Sequence, residues 1–343
     1  MAAFFAALVP ILTCADTAKL RVGYFHTELG RDGPGLLLRD IARGEDPQVG
    51  AVIEVIDAVA PDILVIGGFD WDFENRAVAA FQKELATAGH AMPHAYAPQP
   101  NRGLPTGLDL DQDGRLNEPE DRQGFARFTG ADGLALLSRF PVQTEDAIDL
   151  TPLLWSDLPG ALLPYPNQPE GLGAAMRLAT TGHWGVPVQV PDQPIVWIGS
   201  FHATPPVFDG PEDRNGRRNH DEVAIWSQLL GDLLDTKIPS GFLLAANSNL
   251  DPNAGDGRRR AMANLLADPR LIDPLQSSSY GLVTVDWQRD DLDPMRISYV
   301  LPDTSFKVLD AGVFWPAIDE DMAATVATAS RHRLVWVDVV RRR

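Results

Sequence analysis

Polar side chains follow several apolar segments of this chain, and they are of the types found in hydrolytic and anion-binding sites. His26 ends the run LRVGYFH, His202 ends VWIGSFH, and Asn247 and Asn249 end FLLAANSN. Each run is rich in β-branched and aromatic residues, which predicts a strand. Because ligands of α/β proteins bind beyond the ends of the strands, we expect these side chains to meet in one cleft.

Other polar residues are expected at the same cleft, after the runs ILVIGGFD and RISYVLP and within SRHRLVWVDV. Imidazoles transfer protons or bind metals, whereas guanidinium and amide groups bind anions. Two sets of candidates follow, with catalytic candidates His202, Asn249, His332 and Asn247 and ligand-binding candidates His26, Arg331, Ser298 and Asp70.

The elements that position these residues alternate along the chain. Apolar strand-like runs at 19–29 and 61–70 are separated by a helical pattern that follows Asp46 and Pro47, and a second helical pattern occupies 76–89. Such alternation predicts an α/β sandwich. Residues 95–135 and 151–195 are rich in Gly and Pro and are expected to form long loops, and the triplet at 220–222 is expected to cap a helix.

Composition excludes some partners. The 343 residues include 47 acidic and 29 basic ones, for a formal net charge of −18. Such a charge repels polyphosphates and disfavours binding to nucleic acid through its backbone, but it permits a small phosphorylated or anionic ligand. No apolar run after the N-terminus has the length of a membrane span.

The N-terminal segment MAAFFAALVPILTCADTAKL has a short apolar core followed by small residues, which is typical of a secretory signal. No Lys or Arg precedes the core, so a buried first strand or a misassigned start is the alternative. Cys14 is the only cysteine, which excludes a disulfide framework within the chain. We predict a signal segment at 1–18, one domain at 19–343, and a periplasmic or secreted location; the oligomeric state is left open.

The segment DLDQDGRLNEPE, at 109–120, matches the calcium-loop template without a mismatch. Asp109, Asp111 and Asp113 would supply side-chain oxygens, Arg115 a carbonyl oxygen, and Glu120 two carboxylate oxygens. The alternative is a solvated acidic turn, but carboxylates this close repel one another without a cation. The prediction is a structural Ca²⁺ that fixes a long loop beside the cleft.

Several motifs, taken in order, carry a resemblance to a known family. They are RVGYFHTELGRDGPG, PDILVIGGFDWD, TGLDLDQDGRL, GLALLSRFPV, FHATPPVFDGPEDRNGRRNHDE, NSNLDP, RISYVLP and SRHRLVWVDV. From about residue 19 to 340 the chain resembles the endonuclease/exonuclease/phosphatase superfamily, in a bacterial exported branch. The resemblance implies a four-layer α/β sandwich, with two central mixed sheets flanked by helices. It also implies metal-dependent hydrolysis of phosphate esters, on substrates that range from nucleic acids to phosphoinositides and sphingomyelin.

Compared with that family, the chain keeps only part of the expected site. His202, Asn249 and His332 match the family pattern. Five positions depart from it, with His26 in place of Asn, Gly68 in place of the metal-binding Glu, and Asn247, Ser298 and Arg331 each in place of an Asp. Since Mg²⁺ requires carboxylate oxygens, the inherited site is expected to hold it poorly. Loss of the orienting Asp is also expected to lower the pKa of His332.

Three interpretations remain open at this point. The protein keeps the fold and binds an anionic group without Mg-dependent hydrolysis. Alternatively, His26, His202 and His332 form a relocated site for Zn²⁺ or another transition metal and support an active phosphodiesterase or phosphatase. In the third, each histidine is only hydrogen-bonded at a strand end. Asp70 or Asp72 could restore a carboxylate to the pocket.

Overall fold

The computed structural model describes residues 19–164, 170–289 and 291–342, so the predicted signal segment at 1–18 lies outside the described residues. Within this part the chain forms eleven strands. They are β1 (Leu20–His26), β2 (Ile63–Phe69), β3 (His94–Tyr96), β4 (Gly133–Ser138), β5 (Ile148–Asp149), β6 (His183–Val188), β7 (Val196–Phe201), β8 (Phe242–Asn247), β9 (Ser298–Pro302), β10 (Phe306–Val313) and β11 (Val335–Arg341).

The strands form two mixed sheets. The six-stranded sheet has the order β10-β11-β1-β2-β4-β3, and the five-stranded sheet has the order β5-β6-β7-β8-β9. In each sheet one central pair is parallel, β1 with β2 and β7 with β8, and the other neighbours are antiparallel. The two parallel pairs are those that carry the predicted site residues at their carboxyl ends.

Seven helices are present in the described part of the chain. They are α1 (Leu36–Arg43), α2 (Pro47–Val59), α3 (Arg76–Ala88), α4 (Leu172–Ala175), α5 (Arg214–Leu230), α6 (Arg260–Leu266) and α7 (Ala323–Ala329). α2 begins where the sequence signal places it, since the side chain of Asp46 accepts a hydrogen bond from Val49 N at 2.9 Å. None of the described helices is long and apolar enough to cross a membrane.

Three apolar clusters separate four layers of secondary structure. The central cluster packs the inner faces of the two sheets together, with Tyr24, Val65 and Val337 from one sheet and Trp184 and Leu243 from the other. A second cluster lies between the six-stranded sheet and helices α1, α2, α3 and α7. A third lies between the five-stranded sheet and helices α5 and α6. The predicted four-layer α/β sandwich is therefore confirmed.

Two local expectations were wrong. The region 151–195, expected to be loop, contains β6, which pairs with both β5 and β7. The triplet at 220–222 lies inside α5 and does not cap it, because the helix already begins at Arg214. Asp221 and Glu222 are buried, and they accept hydrogen bonds from neighbouring segments instead of from the first turn of α5.

Candidate functional site

The strand ends bring the predicted polar residues to one edge of the sandwich. In the parallel pair β1–β2, His26 lies opposite Gly67. His202 bridges to Asn247 just beyond β7 and β8, and Asn247 lies opposite Ser298 at the start of β9. This register places residues from both sheets side by side, as the strand-end argument requires.

Three histidines form the centre of this edge. The ring of His26 lies between the other two, with its centroid 4.6 Å from that of His202 and 4.3 Å from that of His332. His202 and His332 are buried, and His26 is partly exposed. We call these residues the histidine cluster. Arg331, next to His332 in the chain, lies at the surface beside it.

Burial lowers the pKa of all three imidazoles. The pKa values of His202 and His332 lie well below the usual value, first because of burial and then because of neighbouring positive groups. The pKa of His26 is lowered for the same first reason, although Glu28 and Asp132 oppose the effect. The Nδ1 atom of each ring is buried and has no hydrogen-bond partner among the described residues. At neutral pH the cluster is therefore a group of uncharged imidazoles with unused hydrogen-bonding capacity.

Two asparagines line the cluster on the β8 side. The side-chain nitrogen of Asn249 lies 3.2 Å from His202 Nε2 and donates to Ala203 O at 2.7 Å. The backbone N–H of Asn249 donates to Asn247 Oδ1 at 2.8 Å. Asn247 Nδ2 and Ser298 Oγ are buried without a partner in the described structure. The positions where relatives would have Asp thus present a free N–H donor and a free hydroxyl.

The imidazole of His26 fills the space above Gly68. Gly68 has a φ of +64°, and a Cβ built on it would lie 2.7 Å from His26 Cε1 and 3.0 Å from Glu28 N. A glutamate at 68 would therefore require both a left-handed backbone and displacement of the His26 ring. The two departures from the family pattern, His26 and Gly68, are sterically linked.

Arg331 does not present a free charge to the cluster. Its guanidinium and its backbone N–H both donate to the carboxylate of Glu28, which also accepts from Ser330 Oγ at 2.9 Å. These bonds hold the pKa of Glu28 below its usual value, although burial acts in the opposite direction. The guanidinium carbon of Arg331 also lies 5.3 Å from the ring centroid of Trp287. Glu28 was not among the predicted site residues, but its place two residues after His26 was the available signal.

Asp70, the possible substitute carboxylate, is engaged by backbone groups. It accepts from Arg31 N at 2.8 Å and from Asp132 N at 3.0 Å. Burial raises its pKa to about 6, although these two bonds and Arg31 act in the opposite direction. Asp132 in turn forms an ion pair with Arg102 at 3.1 Å. Asp70 therefore organises the loops behind the histidine cluster.

Two neighbouring cavities open beside the cluster. The first, of about 340 Å³, is mainly apolar and is lined by Phe208, Trp287 and Met295, with Asn249 and Arg331 at the side of the cluster. The second, of about 570 Å³, is lined by four arginines, Arg102, Arg122, Arg214 and Arg218. Phe208 lines both cavities and is 85% exposed, so it separates two chemically different compartments.

The predicted calcium loop is folded, but with a different acidic set. Among the described residues, Asp109, Asp111 and Asp121 are the group of His, Cys, Asp or Glu whose ligand atoms all lie within 4.8 Å of one another. The carboxylate of Asp109 accepts from Asp113 N and Gly114 N, which closes the tight turn. Two of the predicted side-chain ligands, Asp113 and Glu120, are outside this group. The predicted contribution of Arg115 is a backbone carbonyl oxygen, which stays a prediction.

Asp121 and Glu222 were missed as candidate residues in the sequence. Asp121 is buried and accepts from Leu110 N at 2.7 Å, and its place directly after Glu120 was the signal for it. Glu222 accepts from Thr180 N and from Thr204 N, both at 2.6 Å, and so holds the segment that follows His202. Burial raises its pKa to about 7, against the opposing effect of Arg218. Sequence carried no signal that a carboxylate inside a helix would be buried.

Comparison with solved structures gives matches over nearly the whole chain. An endonuclease/exonuclease/phosphatase from Beutenbergia cavernae is 19% identical with a TM-score of 0.58, and the match covers 94% of this chain and 72% of that one. The mannosyl-6-phosphatase of Bacteroides thetaiotaomicron is 14% identical with a TM-score of 0.51, covering 94% and 99%. A mutant beta toxin from Staphylococcus aureus with bound magnesium ions is 10% identical with a TM-score of 0.52, covering 95% and 100%.

At these identities the structural matches show the shared fold and nothing more specific. No curated protein matches the sequence. The sequence model of the Endonuclease/Exonuclease/phosphatase family, however, matches residues 33–332, which include His202, Asn249 and His332. This match confirms the predicted superfamily and, with it, a phosphoesterase-type fold. The chain belongs to the Endonuclease/Exonuclease/phosphatase family.

Proposed function

We propose that the protein binds a small phosphorylated or otherwise anionic ligand at the histidine cluster, with weak or no Mg-dependent hydrolysis. The observation that carries the proposal is that the carboxylates near the cluster are already engaged. Glu28 is bonded to Arg331, Asp132 to Arg102, and Asp70 to two backbone N–H groups. Little anionic charge remains to hold a divalent cation or to repel an anion.

Mg²⁺, which the family implies, does not fit the residues at the inherited positions. Mg²⁺ takes near-octahedral oxygen ligands, usually including one or two carboxylates. Here Asn247 leaves a buried amide N–H without a partner, and the imidazole of His26 occupies the space in which a side chain at Gly68 would lie. An N–H group pointing at a cation is repulsive, whereas the same group stabilises an anion. The mismatch therefore supports anion binding and disfavours Mg²⁺.

The neutral state of the imidazoles also supports a binding role. A neutral imidazole has one N–H donor and one acceptor nitrogen, so each ring can donate to a phosphate oxygen. Asn249 and His26 are partly exposed, and Asn249 lines the apolar cavity. They would contact the ligand first, and Asn247 and Ser298 offer further donors behind them.

The alternative function is an active metal-dependent phosphodiesterase or phosphatase with a relocated, histidine-rich site. The close approach of the three rings favours it, because neutral imidazoles bind Zn²⁺ and other transition metals. Against it, no set of one ring nitrogen from each of the three histidines lies entirely within 4.8 Å in the described structure, so the side chains would have to shift.

We further propose that Ca²⁺ binds the loop at 109–121 in a structural role. The template match and the approach of Asp109, Asp111 and Asp121 support this proposal. A cation would offset the repulsion between carboxylates and fix the loop that borders the arginine-lined cavity. The signal-like N-terminus is consistent with export to the periplasm or beyond, where Ca²⁺ is abundant.

Hydrolysis assays combined with metal analysis separate the two functions. Purified protein is incubated with bis(p-nitrophenyl) phosphate and with p-nitrophenyl phosphate, each with Mg²⁺, Mn²⁺ or Zn²⁺ and with chelator. The binding proposal expects no turnover beyond the background, together with phosphate binding that is lost in His202→Ala. Chelator-sensitive turnover that His202→Ala abolishes would establish the alternative.

A further inference from the structure

The larger of the two cavities, called here the arginine cleft, concentrates positive charge in an acidic protein. The chain carries a net charge of −18, yet this cleft is lined by Arg102, Arg122, Arg214 and Arg218 against two carboxylates, Asp111 and Glu120. The first turn of α5, which contains Arg214, also lies at the cleft and adds the positive end of its dipole.

Two of these guanidinium groups have no acidic partner. Among the described residues, Arg122 and Arg214 have no carboxylate oxygen within 4.0 Å. Arg214 makes a single long contact of 3.5 Å with Leu110 O. Arg122 donates to Gly103 O at 2.6 Å and to Asn117 O at 3.3 Å, while its buried Nε has no acceptor. Neither guanidinium charge is matched by a carboxylate, and charged donors without an acceptor are costly unless an anion or water completes them.

The other two arginines hold the cleft in place. Arg218 is buried and donates to the carbonyl oxygens of Leu178 and Ala179, among others, so it fixes the wall. Arg102 forms an ion pair with Asp132, and its charge lowers the pKa values of both His26 and His202. Thr204, two residues after His202 in the chain, also lines the cleft, so the arginine cleft adjoins the histidine cluster.

A competing explanation is that the arginines only neutralise the acidic loop. The geometry opposes it, because none of the four guanidinium groups lies within 4.0 Å of the carboxylate oxygens of Asp111 or Glu120 in the described structure. The arginine that does pair with the loop is Arg115, which contacts Asp113 and Glu118 outside the cleft. The four arginines of the cleft therefore do not serve to neutralise Asp111 and Glu120.

We propose that the arginine cleft is a second anion subsite, so that the ligand is a small molecule with two anionic groups. This inference rests on the proposed function, since one anionic group would bind at the histidine cluster and the other between Arg122 and Arg214. Guanidinium groups form charge-assisted, bidentate bonds with phosphate or carboxylate oxygens. Two linked groups bind more tightly than one, because the second binding event is intramolecular.

The test is calorimetric titration of the full protein with alkane bisphosphonates of increasing chain length and with alkyl monophosphonates of matched length. These probes are not hydrolysed, and the matched chains cancel any contribution from apolar burial. At the best length we expect the bisphosphonate to bind at least about tenfold more tightly than its monophosphonate. Equal affinities at every length would overturn the proposal.

Single variants show where the second anionic group binds, and they distinguish a failure of this proposal from a failure of the proposed function. Arg214→Gln, which removes the most weakly held guanidinium, is expected to reduce the advantage of the bisphosphonate over the matched monophosphonate. Arg127→Gln is the matched control, because Arg127 pairs with Asp32 on the exposed surface and does not line the cleft. An advantage that persists in both Arg214→Gln and Arg122→Gln, each checked for folding by thermal melting, would refute the subsite. Monophosphonate binding that is insensitive to His202→Ala would refute only the proposed function.

Discussion

The steric link between Gly68 and His26 gives the sharpest test of how this site differs from its family. Gly68→Glu restores the side chain that the family pattern expects at this position. Its Cβ would lie 2.7 Å from His26 Cε1, at a backbone φ of +64°. A left-handed conformation costs a residue with a Cβ roughly 1–2 kcal/mol, and overpacking costs about 1–3 kcal/mol. We therefore expect the free energy of unfolding to fall by about 2–5 kcal/mol.

A matched control separates the two contributions. Gly44 has a φ of +66°, and a Cβ there would meet no atom within 4 Å, so Gly44→Glu measures the backbone cost alone. The double variant His26→Asn/Gly68→Glu removes the contact with the imidazole ring but keeps the backbone cost and the 3.0 Å approach to Glu28 N. Its loss of unfolding free energy should be smaller than the sum of the losses in the two single variants by roughly 0.5–3 kcal/mol, the range expected for residues in contact.

Equilibrium unfolding in urea, followed by tryptophan fluorescence, measures the wild type, the three single variants and the double variant on one scale. The reasoning is refuted if Gly68→Glu is no more destabilising than Gly44→Glu. It is also refuted if the double variant shows no coupling. Either result would mean that the His26 ring does not occupy the space that a side chain at 68 needs.

Three further predictions concern groups outside the cluster. Glu222→Gln leaves one buried backbone N–H without a good acceptor, and we expect the free energy of unfolding, measured with denaturant, to fall by about 1–3 kcal/mol. An unchanged denaturation midpoint would contradict this expectation. Burial lowers the pKa of His183 to about 4, so the folded state binds a proton at this imidazole less readily than the unfolded state does. The neutral imidazole therefore contributes fully to the free energy of unfolding above pH 6.5, and this contribution is lost as the pH falls towards 4. The slope of unfolding free energy against pH in this window should therefore be smaller in His183→Gln, by an amount equivalent to the uptake of up to about one proton on unfolding. An identical slope in the two proteins would contradict the lowered pKa of His183. Chelator should lower the melting temperature of the wild type but not of Asp109→Asn, whereas no change in the wild type would argue against a structural Ca²⁺.

The parts of the fold that sequence predicts are those with continuous apolar runs. β1, β2, β7 and β8 are buried on both faces or nearly so, and each was visible as a run composed mainly of apolar residues. β6 was missed because HWGVPV contains Gly185 and Pro187, which are depleted in strands, although all its residues are buried. β10 was missed because it lies at the sheet edge, where its polar residues face solvent.

In the candidate site, too, the features that depend on local sequence could be predicted, and those that depend on long-range contacts could not. The strand-end rule predicts that His26, His202 and Asn247 meet, because the rule depends only on local pattern and parallel pairing. The pairing of Glu28 with Arg331 joins residues 303 positions apart and depends on how α7 ends beside β1. Similarly, the engagement of Asp70 by backbone N–H groups requires the path of two loops. The sequence shows which side chains are charged, whereas the partners of those charges depend on how the chain folds.

The central claim is that the altered pocket excludes the hard divalent cation of its family. Crystals soaked in Mn²⁺ and measured at the manganese absorption edge test it directly, because Mn²⁺ is a close substitute for Mg²⁺ at oxygen sites and gives an anomalous signal. We predict no anomalous peak between Gly68 and Asn247, with any peak confined to the loop at 109–121. A peak coordinated by Asn247 or by the carboxylate of Glu28 would contradict the account.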